Sequence, residues 1–356
     1  MISTIVEKIY QGIEKQDVRK TRAHLGCSEI GGSCRKQLWY TFRWAWEKQF
    51  DGRMLRLFRR GELEEDSLIK DLRNADAEVD ETSRQHRMST HGGHFGGSID
   101  GAGKQFEDSA TPDAWHLLEF KTANDSSFKR IKRIGVAEAM PAHYAQVQCY
   151  MHLSGVMKIT LYLVVNKNND EIYSEYIEYN EEHAKQFLQS AEDIIFSDET
   201  PLGLPDPTWR ECSWCVFKKI CWEDDLPEVN CRTCTHAVVE RKGNANWSCA
   251  LTGDDLPIEK QKQGCEKHLY LAHLITYAEL EFGSENENWQ QYKLPDGRTF
   301  RNGMQGPGIY TSKELQNLPV SMIGDKEFEN LRTKFEGTVE KKKIDDGYPF
   351  DDDIPF

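Results

Sequence analysis

The sequence lacks any long apolar run. Its most hydrophobic stretches, such as residues 159–165, fall far short of the ~20 residues that a membrane-spanning helix needs, which argues against a helical membrane protein. Nor does the opening segment read as a secretory leader. The opening Met1-Ile2-Ser3-Thr4-Ile5-Val6-Glu7-Lys8 has no basic n-region, no continuous apolar core and no small-residue cleavage site, so a soluble, cytoplasmic chain is expected. Positive charge is scarce: 45 Lys+Arg stand against 59 Asp+Glu, a net of -14 over 356 residues. That balance alone argues against a simple electrostatic nucleic-acid binder. The deficit is uneven, however. Residues 1–60 hold 13 Lys+Arg and 6 Asp+Glu, a net of +7, which leaves -21 for residues 61–356.

Ten cysteines in a chain with no export signal make a poor disulfide framework, because the cytosol keeps thiols reduced. Metal ligation fits their spacing better. Seven lie between Cys212 and Cys265 in two groups: Cys212, Cys215 and Cys221, then Cys231, Cys234, Cys249 and Cys265.

Length favours two to three units. Ile2, Ile5, Val6, Ile9 and Ile13 predict an amphipathic helix over 2–15, and a second is predicted over 53–73. Strands are predicted near 94–100, 115–122, 159–165 and 171–178, with helices near 141–154 and 181–196. This mix predicts an α/β fold with a mixed sheet flanked by helices. Pro201, Pro205 and Pro207 mark a linker into the cysteine-rich region. The expected division is 1–225, a metal-binding module at 226–272, a small module at 273–340 with a helix near 324–335, and a disordered acidic tail at 341–356.

The sharpest local signal is Gly96-Gly97-Ser98-Ile99-Asp100, followed by Leu118-Glu119-Phe120-Lys121. Alternation puts Glu119 and Lys121 on one face of a strand. Asp100 beside Glu119 would give two repelling carboxylates unless a hard cation such as Mg²⁺ sits between them. Lys121 could then orient or activate a water for in-line attack on a phosphodiester. Gln146 and Tyr150, four apart, share a helix face. Gly61-Glu62-Leu63-Glu64-Glu65 adds carboxylates on the preceding helix.

In order and spacing these motifs resemble the RecB-type branch of the PD-(D/E)xK nucleases, whose fold is restriction-endonuclease-like. By that resemblance Asp100 and Glu119 bind Mg²⁺ or Mn²⁺, Lys121 is catalytic, and Gln146 and Tyr150 shape the DNA-contacting site. Glu65 stands where such domains usually carry a metal-binding His, with Glu62 and Glu64 as alternatives. A metal-dependent deoxyribonuclease, an exonuclease of recombination or repair in a phage or mobile-element setting, is the implied activity.

Cys212, Cys215 and Cys221 need a fourth ligand, and Cys34 is the candidate, with Cys27 as a rival. One upstream cysteine plus this C-terminal trio resembles the iron–sulfur nucleases of CRISPR adaptation and of AddB-type subunits, which implies a 4Fe–4S cluster tying the start of the domain to its end. Zinc on the same ligands is the alternative. Cys231, Cys234, Cys249 and Cys265 have the look of a zinc ribbon, with His236 or His268 able to replace one thiolate. Cys149 reads as a small core residue.

Arg35, Lys36, Arg43, Arg56, Arg59 and Arg60 form the expected DNA phosphate-contacting set; packing of their stems onto a core is the alternative. The terminal Asp351-Asp352-Asp353-Ile354-Pro355-Phe356 resembles the tail of enterobacterial single-stranded-DNA-binding protein (SSB). That likeness implies host proteins recognising the SSB tail as partners. A non-catalytic protein that sequesters those partners is the rival reading.

Overall fold

A computed structural model describes residues 4–17, 21–47, 49–304, 306, 308–335, 337 and 339. The SSB-like residues Asp351, Asp352, Asp353, Ile354, Pro355 and Phe356 lie outside the described residues. The chain divides into two compact units. Among the described residues, one contains 4–17, 21–32 and 49–193, and the other contains 33–47 and 194–339. Among the described residues, no helix is long and apolar enough to cross a membrane.

The first unit is built on a five-stranded mixed sheet. Its strands run in the order Glu78–Val79, Gly101–Lys104, His116–Ala123, Ile159–Asn166 and Ile172–Glu178. Only the pairing of His116–Ala123 with Ile159–Asn166 is parallel. Leu118, Phe120, Leu161, Leu163 and Val165 face Leu68 and Ile69 of the helix Gly52–Asn74. The opposite face carries Leu117, Thr160, Tyr162 and Val164, all buried, against the helices Asp125–Ala139 and Pro141–Ser154. Coverage on both faces explains why residues 159–165 read as nearly continuous apolar sequence. This is a mixed α/β, restriction-endonuclease-like arrangement.

Local chemistry sets the helix ends. Asp51 caps Gly52–Asn74 by accepting from Met54 N at 2.8 Å. Asn124 does the same for Ser127 N at 2.8 Å. Pro141 opens the Pro141–Ser154 helix, and Gly155 closes it at φ +70°. Asp125–Ala139 is broken at Gly135, where φ is +77° and Val136 N turns to Glu175 Oε2 instead. A three-stranded sheet of Leu25–Gly26, Phe95–Ser98 and Arg87–Thr90 adjoins this core in the same unit.

The second unit holds the helix Arg35–Phe42, the hairpin Ala237–Val239/Trp247–Cys249 and a four-stranded sheet spanning Glu279–Tyr310. Residues 226–272 and 273–335 both belong to it. Its centre contains two fully buried arginines. Arg43 donates to Asp198 Oδ1 (2.8 Å), Ser197 O (2.9 Å) and Arg232 O (3.2 Å). Arg232 donates to Gln261 Oε1 and Phe42 O, both at 2.8 Å. The guanidiniums lie over aromatic rings: Arg232 is 3.6 Å from the Trp44 centroid and 4.8 Å from Trp247, while Arg43 is 5.2 Å from Trp39. Buried charge is tolerated here because hydrogen bonds and ring faces replace water.

The expectation for Arg43 is therefore corrected: its guanidinium is consumed inside the unit and presents nothing to a phosphate. Arg35 is exposed and Lys36 half-buried in the second unit, whereas Arg56, Arg59 and Arg60 are exposed on the Gly52–Asn74 helix of the first.

Candidate active site

Asp100 sits where the chain passes from one sheet to the other. Phe95–Ser98 belongs to the three-stranded sheet, and Gly101–Lys104 joins the main sheet with Gly101 opposite Leu118. Beyond that register the ladder stops. The Asp100 carboxylate takes the place of a strand neighbour, accepting from Phe120 N at 2.8 Å. This fixes Asp100 next to Glu119, as the sequence motif requires.

Glu119 is fully buried. Its Oε1 accepts from Lys121 Nζ in a salt bridge, and its Oε2 is buried without a hydrogen-bond partner among the described residues. An orphaned carboxylate oxygen is costly, and its orphan state marks a position where a cation would satisfy it. Burial, with the Asp100 charge adding to it, pushes the Glu119 carboxyl up to about 7. Burial raises Asp100 too, against the pull of Lys121. Glu65 is also lifted to about 7, by burial and then by Asp100. Burial alone would lower Lys121, but Glu119 and Asp100 outweigh it and raise the ammonium's pKa. Four groups from three elements thus share one electrostatic field, and Glu65 acts on both Glu119 and Lys121.

The Pro141–Ser154 helix brings Gln146 and Tyr150, both buried, to the same centre. They hydrogen-bond one another, and burial, then the Glu119 charge, raises the Tyr150 phenol far above its ordinary value. Gly97 makes the fit possible: a Cβ there would lie 2.3 Å from Tyr150 Oη. Gly96 is equally confined, by Met88 O at 2.2 Å. The Gly96-Gly97 pair is therefore a clearance requirement of the motif.

A cavity of about 220 Å³ opens beside these groups, lined by Glu65 and Lys121 among others. Glu65 on its wall, with Asp100 and the orphaned Glu119 oxygen acting on the same charge field, makes a donor set whose hard-oxygen chemistry suits Mg²⁺ or Mn²⁺. Among the described residues, no three His, Cys, Asp or Glu side chains already stand in a coordinating arrangement. Lys121 supplies the positive charge to Glu119 in this geometry.

The cysteines fall into three places. Cys34, Cys212, Cys215 and Cys221 lie together in the second unit. Cys215 is pushed up to about 11 by burial and then by Cys34, Cys212 and Cys221. Cys34 occupies the N-cap position of Arg35–Phe42 and makes no side-chain capping bond. Cys27 is elsewhere, fully buried in the first unit and hydrogen-bonded to Cys149. Cys231, Cys234, Cys249 and Cys265 line a small common cavity. Burial and the other three thiols raise Cys231 to about 12. His268 borders this cavity, but Nδ1 meets Ser312 Oγ at 2.8 Å and Nε2 meets Thr233 Oγ1 at 3.2 Å. His236 Nε2 meets Asn288 Oδ1 at 2.7 Å. Both imidazoles have hydrogen-bonding roles of their own.

Sequence reasoning missed His143 and Tyr162, which also line the larger cavity. The one available signal was spacing: His143 stands three residues before Gln146 and seven before Tyr150.

No family model matches the sequence, and no curated protein matches it. Among solved structures it is similar to the crystal structure of SSO0001, with 17% identity and a TM-score of 0.38 over 62% of this chain and 97% of that one. It is also similar to an alkaline exonuclease (LHK-Exo) from Laribacter hongkongensis, with 15% identity and a TM-score of 0.35 over 49% of this chain and 87% of that one. These figures are too low to carry an argument about function, which rests below on the chain's own residues.

Proposed function

We propose that the protein is a metal-dependent deoxyribonuclease of the PD-(D/E)xK type, acting as an exonuclease in DNA recombination or repair. The observation that supports this reading is the meeting of Glu65, Asp100, Glu119 and Lys121 around a buried, unpartnered Glu119 oxygen. A structural salt bridge does not need three carboxylates crowded against one another, whereas a cation-assisted phosphodiester hydrolase uses such a set to hold its metal.

In this reading Glu65, Asp100 and Glu119 hold Mg²⁺ or Mn²⁺, which when bound supplies Lewis-acid stabilisation of charge on the phosphate. Lys121, anchored by Glu119, sets a cation at the phosphate and orients the attacking water. Tyr150 and Gln146 form the wall that keeps the phosphodiester in line, and Asp100, tied to Phe120 N, holds the carboxylate geometry rigid. Purified protein with Mg²⁺ or Mn²⁺ should release nucleotides from linear DNA, and Asp100→Ala or Lys121→Ala should abolish release. Full activity in either variant would remove the assignment. Comparing linear, end-blocked and circular DNA separates exonuclease from endonuclease action.

Cys34, Cys212, Cys215 and Cys221 are proposed as ligands of a 4Fe–4S cluster, and Cys231, Cys234, Cys249 and Cys265 as a zinc site. Protein purified without oxygen should be brown, with about four iron atoms and one zinc per chain. A colourless protein with two zinc ions contradicts the cluster. The terminal Ile354-Pro355-Phe356 is proposed to recruit host proteins that bind the SSB tail. Removing Phe356 should abolish that binding and leave nuclease activity intact.

A further inference from the structure

The cavity beside Lys121 has a wall that the catalytic reading does not use. His143 shares a helix face with Gln146 and Tyr150, at i, i+3 and i+7. It is 6% exposed, and its Nδ1 lies 2.8 Å from Tyr162 Oη. The two rings are tilted at a centroid distance of 5.9 Å. Tyr162 is fully buried and stands directly opposite Glu119 in the parallel register, so the two side chains project to one side of the sheet. Both His143 and Tyr162 line the cavity together with Lys121.

An imidazole and a phenol are costly to bury unless hydrogen-bonded. Here each answers the other, and the bond fixes the imidazole on the wall that also carries the reactive lysine. The same cavity presents Lys167 and Ser127 as further polar groups, and Ile131 and Met140 as apolar surface. Cations, hydrogen-bonding groups and apolar walls in one small space suit a nucleotide rather than a bare ion. Glu62, Glu64 and Glu65 make the wall from the Gly52–Asn74 helix acidic, which leaves the Lys121–His143 side for a phosphate.

We infer that His143, fixed by Tyr162, is a substrate-positioning residue that holds the nucleotide next to the scissile phosphate in the cavity it lines. This deepens the nuclease reading and rests on it. His143 touches the nucleotide, and Tyr162 acts through His143.

The test uses the intact chain with Mn²⁺ and linear duplex DNA, with thymidine 5′-monophosphate as the inhibitor probe. Steady-state constants and melting temperatures are measured for wild type, H143A, H143Q, Y162F and H143A/Y162F. H143A should raise KM and the inhibition constant of the probe about tenfold, the worth of one hydrogen bond to a charged group. H143Q should recover part of that loss. Y162F should move both constants in the same direction by less, and the double variant should be no worse than H143A. Wild-type KM and inhibition constants in H143A overturn the inference, as do additive losses in the double variant that track melting temperature alone. If H143A does not fold, unchanged constants in both H143Q and Y162F overturn it instead. If wild type releases no nucleotide, the nuclease reading fails, and calorimetry still decides this inference. Probe binding that weakens in H143Q supports it, and no binding to wild type overturns it.

Discussion

At the residue scale, the site concentrates carboxylates that burial makes reluctant to ionise. Glu119 and Glu65 are both raised to about 7 from an ordinary 4.5. A carboxyl whose folded-state pKa is raised binds its proton more tightly in the folded chain, so its stabilisation is full below about pH 4.5 and is lost as pH rises through about 7. In the presence of a chelator the melting temperature should therefore fall between pH 5 and pH 8, by an amount on the order of 2 kcal/mol in stability for each carboxyl. Adding Mg²⁺ should restore stability more at pH 8 than at pH 5. A chelated protein whose melting temperature is flat across that range contradicts the electrostatic picture. Gly97 offers a second residue-scale test. Gly97→Ala places a Cβ 2.3 Å from Tyr150 Oη, which must displace the phenol. Turnover should fall about a hundredfold, as misplacement by an ångström does, while circular dichroism stays native.

Much of this site was legible because its parts are local. Glu119 and Lys121 alternate on one strand, and Gln146 and Tyr150 recur at helical spacing. The Gly96-Gly97 pair stands just before the aspartate. His143 was not legible, because its meaning comes from Tyr162, nineteen residues away on a strand read from its apolar pattern alone. The fate of Arg43 was hidden for the same reason. Its partners Asp198 and Arg232 meet it only in the folded chain, and an arginine among tryptophans looks the same in sequence whether it faces water or a core.

At the element scale, the strands and the long helices follow their hydrophobic periodicity closely. The helix expected at 141–154 is Pro141–Ser154, and that at 53–73 is Gly52–Asn74. Asp125–Ala139 was missed because its pattern is dense in Lys and Arg and is interrupted at Gly135, whose φ of +77° breaks the helical register. The strand expected near 94–100 is Phe95–Ser98, and a further strand, Gly101–Lys104, follows it in a different sheet. Asp100 is the hinge residue between them, which explains how it reaches Glu119 without being its ladder partner. In the second unit, the helix Arg35–Phe42 and the Trp247 hairpin are joined through the arginine–aromatic stack. Arg232→Ala removes cation–π contacts and leaves Gln261 Oε1 and Phe42 O short of a donor. Destabilisation of about 3 kcal/mol is expected, read by denaturant unfolding. A change within 0.5 kcal/mol of wild type would show the stack to be incidental.

At the scale of the whole molecule, the net charge of -14 is an average over unlike parts. In the first unit Glu62, Glu64 and Glu65 line one cavity, and exposed Arg56, Arg59 and Arg60 stand on the helix that supplies Glu65. A phosphate-contacting role for these three predicts that charge reversal at Arg56 and Arg59 weakens DNA binding and flattens its salt dependence by roughly one slope unit per lost contact. An unchanged slope in a filter-binding titration removes them from the interface. The second unit gathers eight of the ten cysteines into two thiol groups. Iron and zinc held there, as proposed, would act on the stability of that unit.

The central claim is that Glu65, Asp100, Glu119 and Lys121 form one metal-dependent hydrolytic centre. Its most direct test is the release of acid-soluble nucleotides from linear DNA by wild type, Asp100→Ala and Lys121→Ala, each with Mg²⁺, with Mn²⁺ and with chelator. The account predicts release by wild type only when metal is present, and at least a hundredfold loss in both variants with folding intact. Metal-independent release, or undiminished release by either variant, would contradict it.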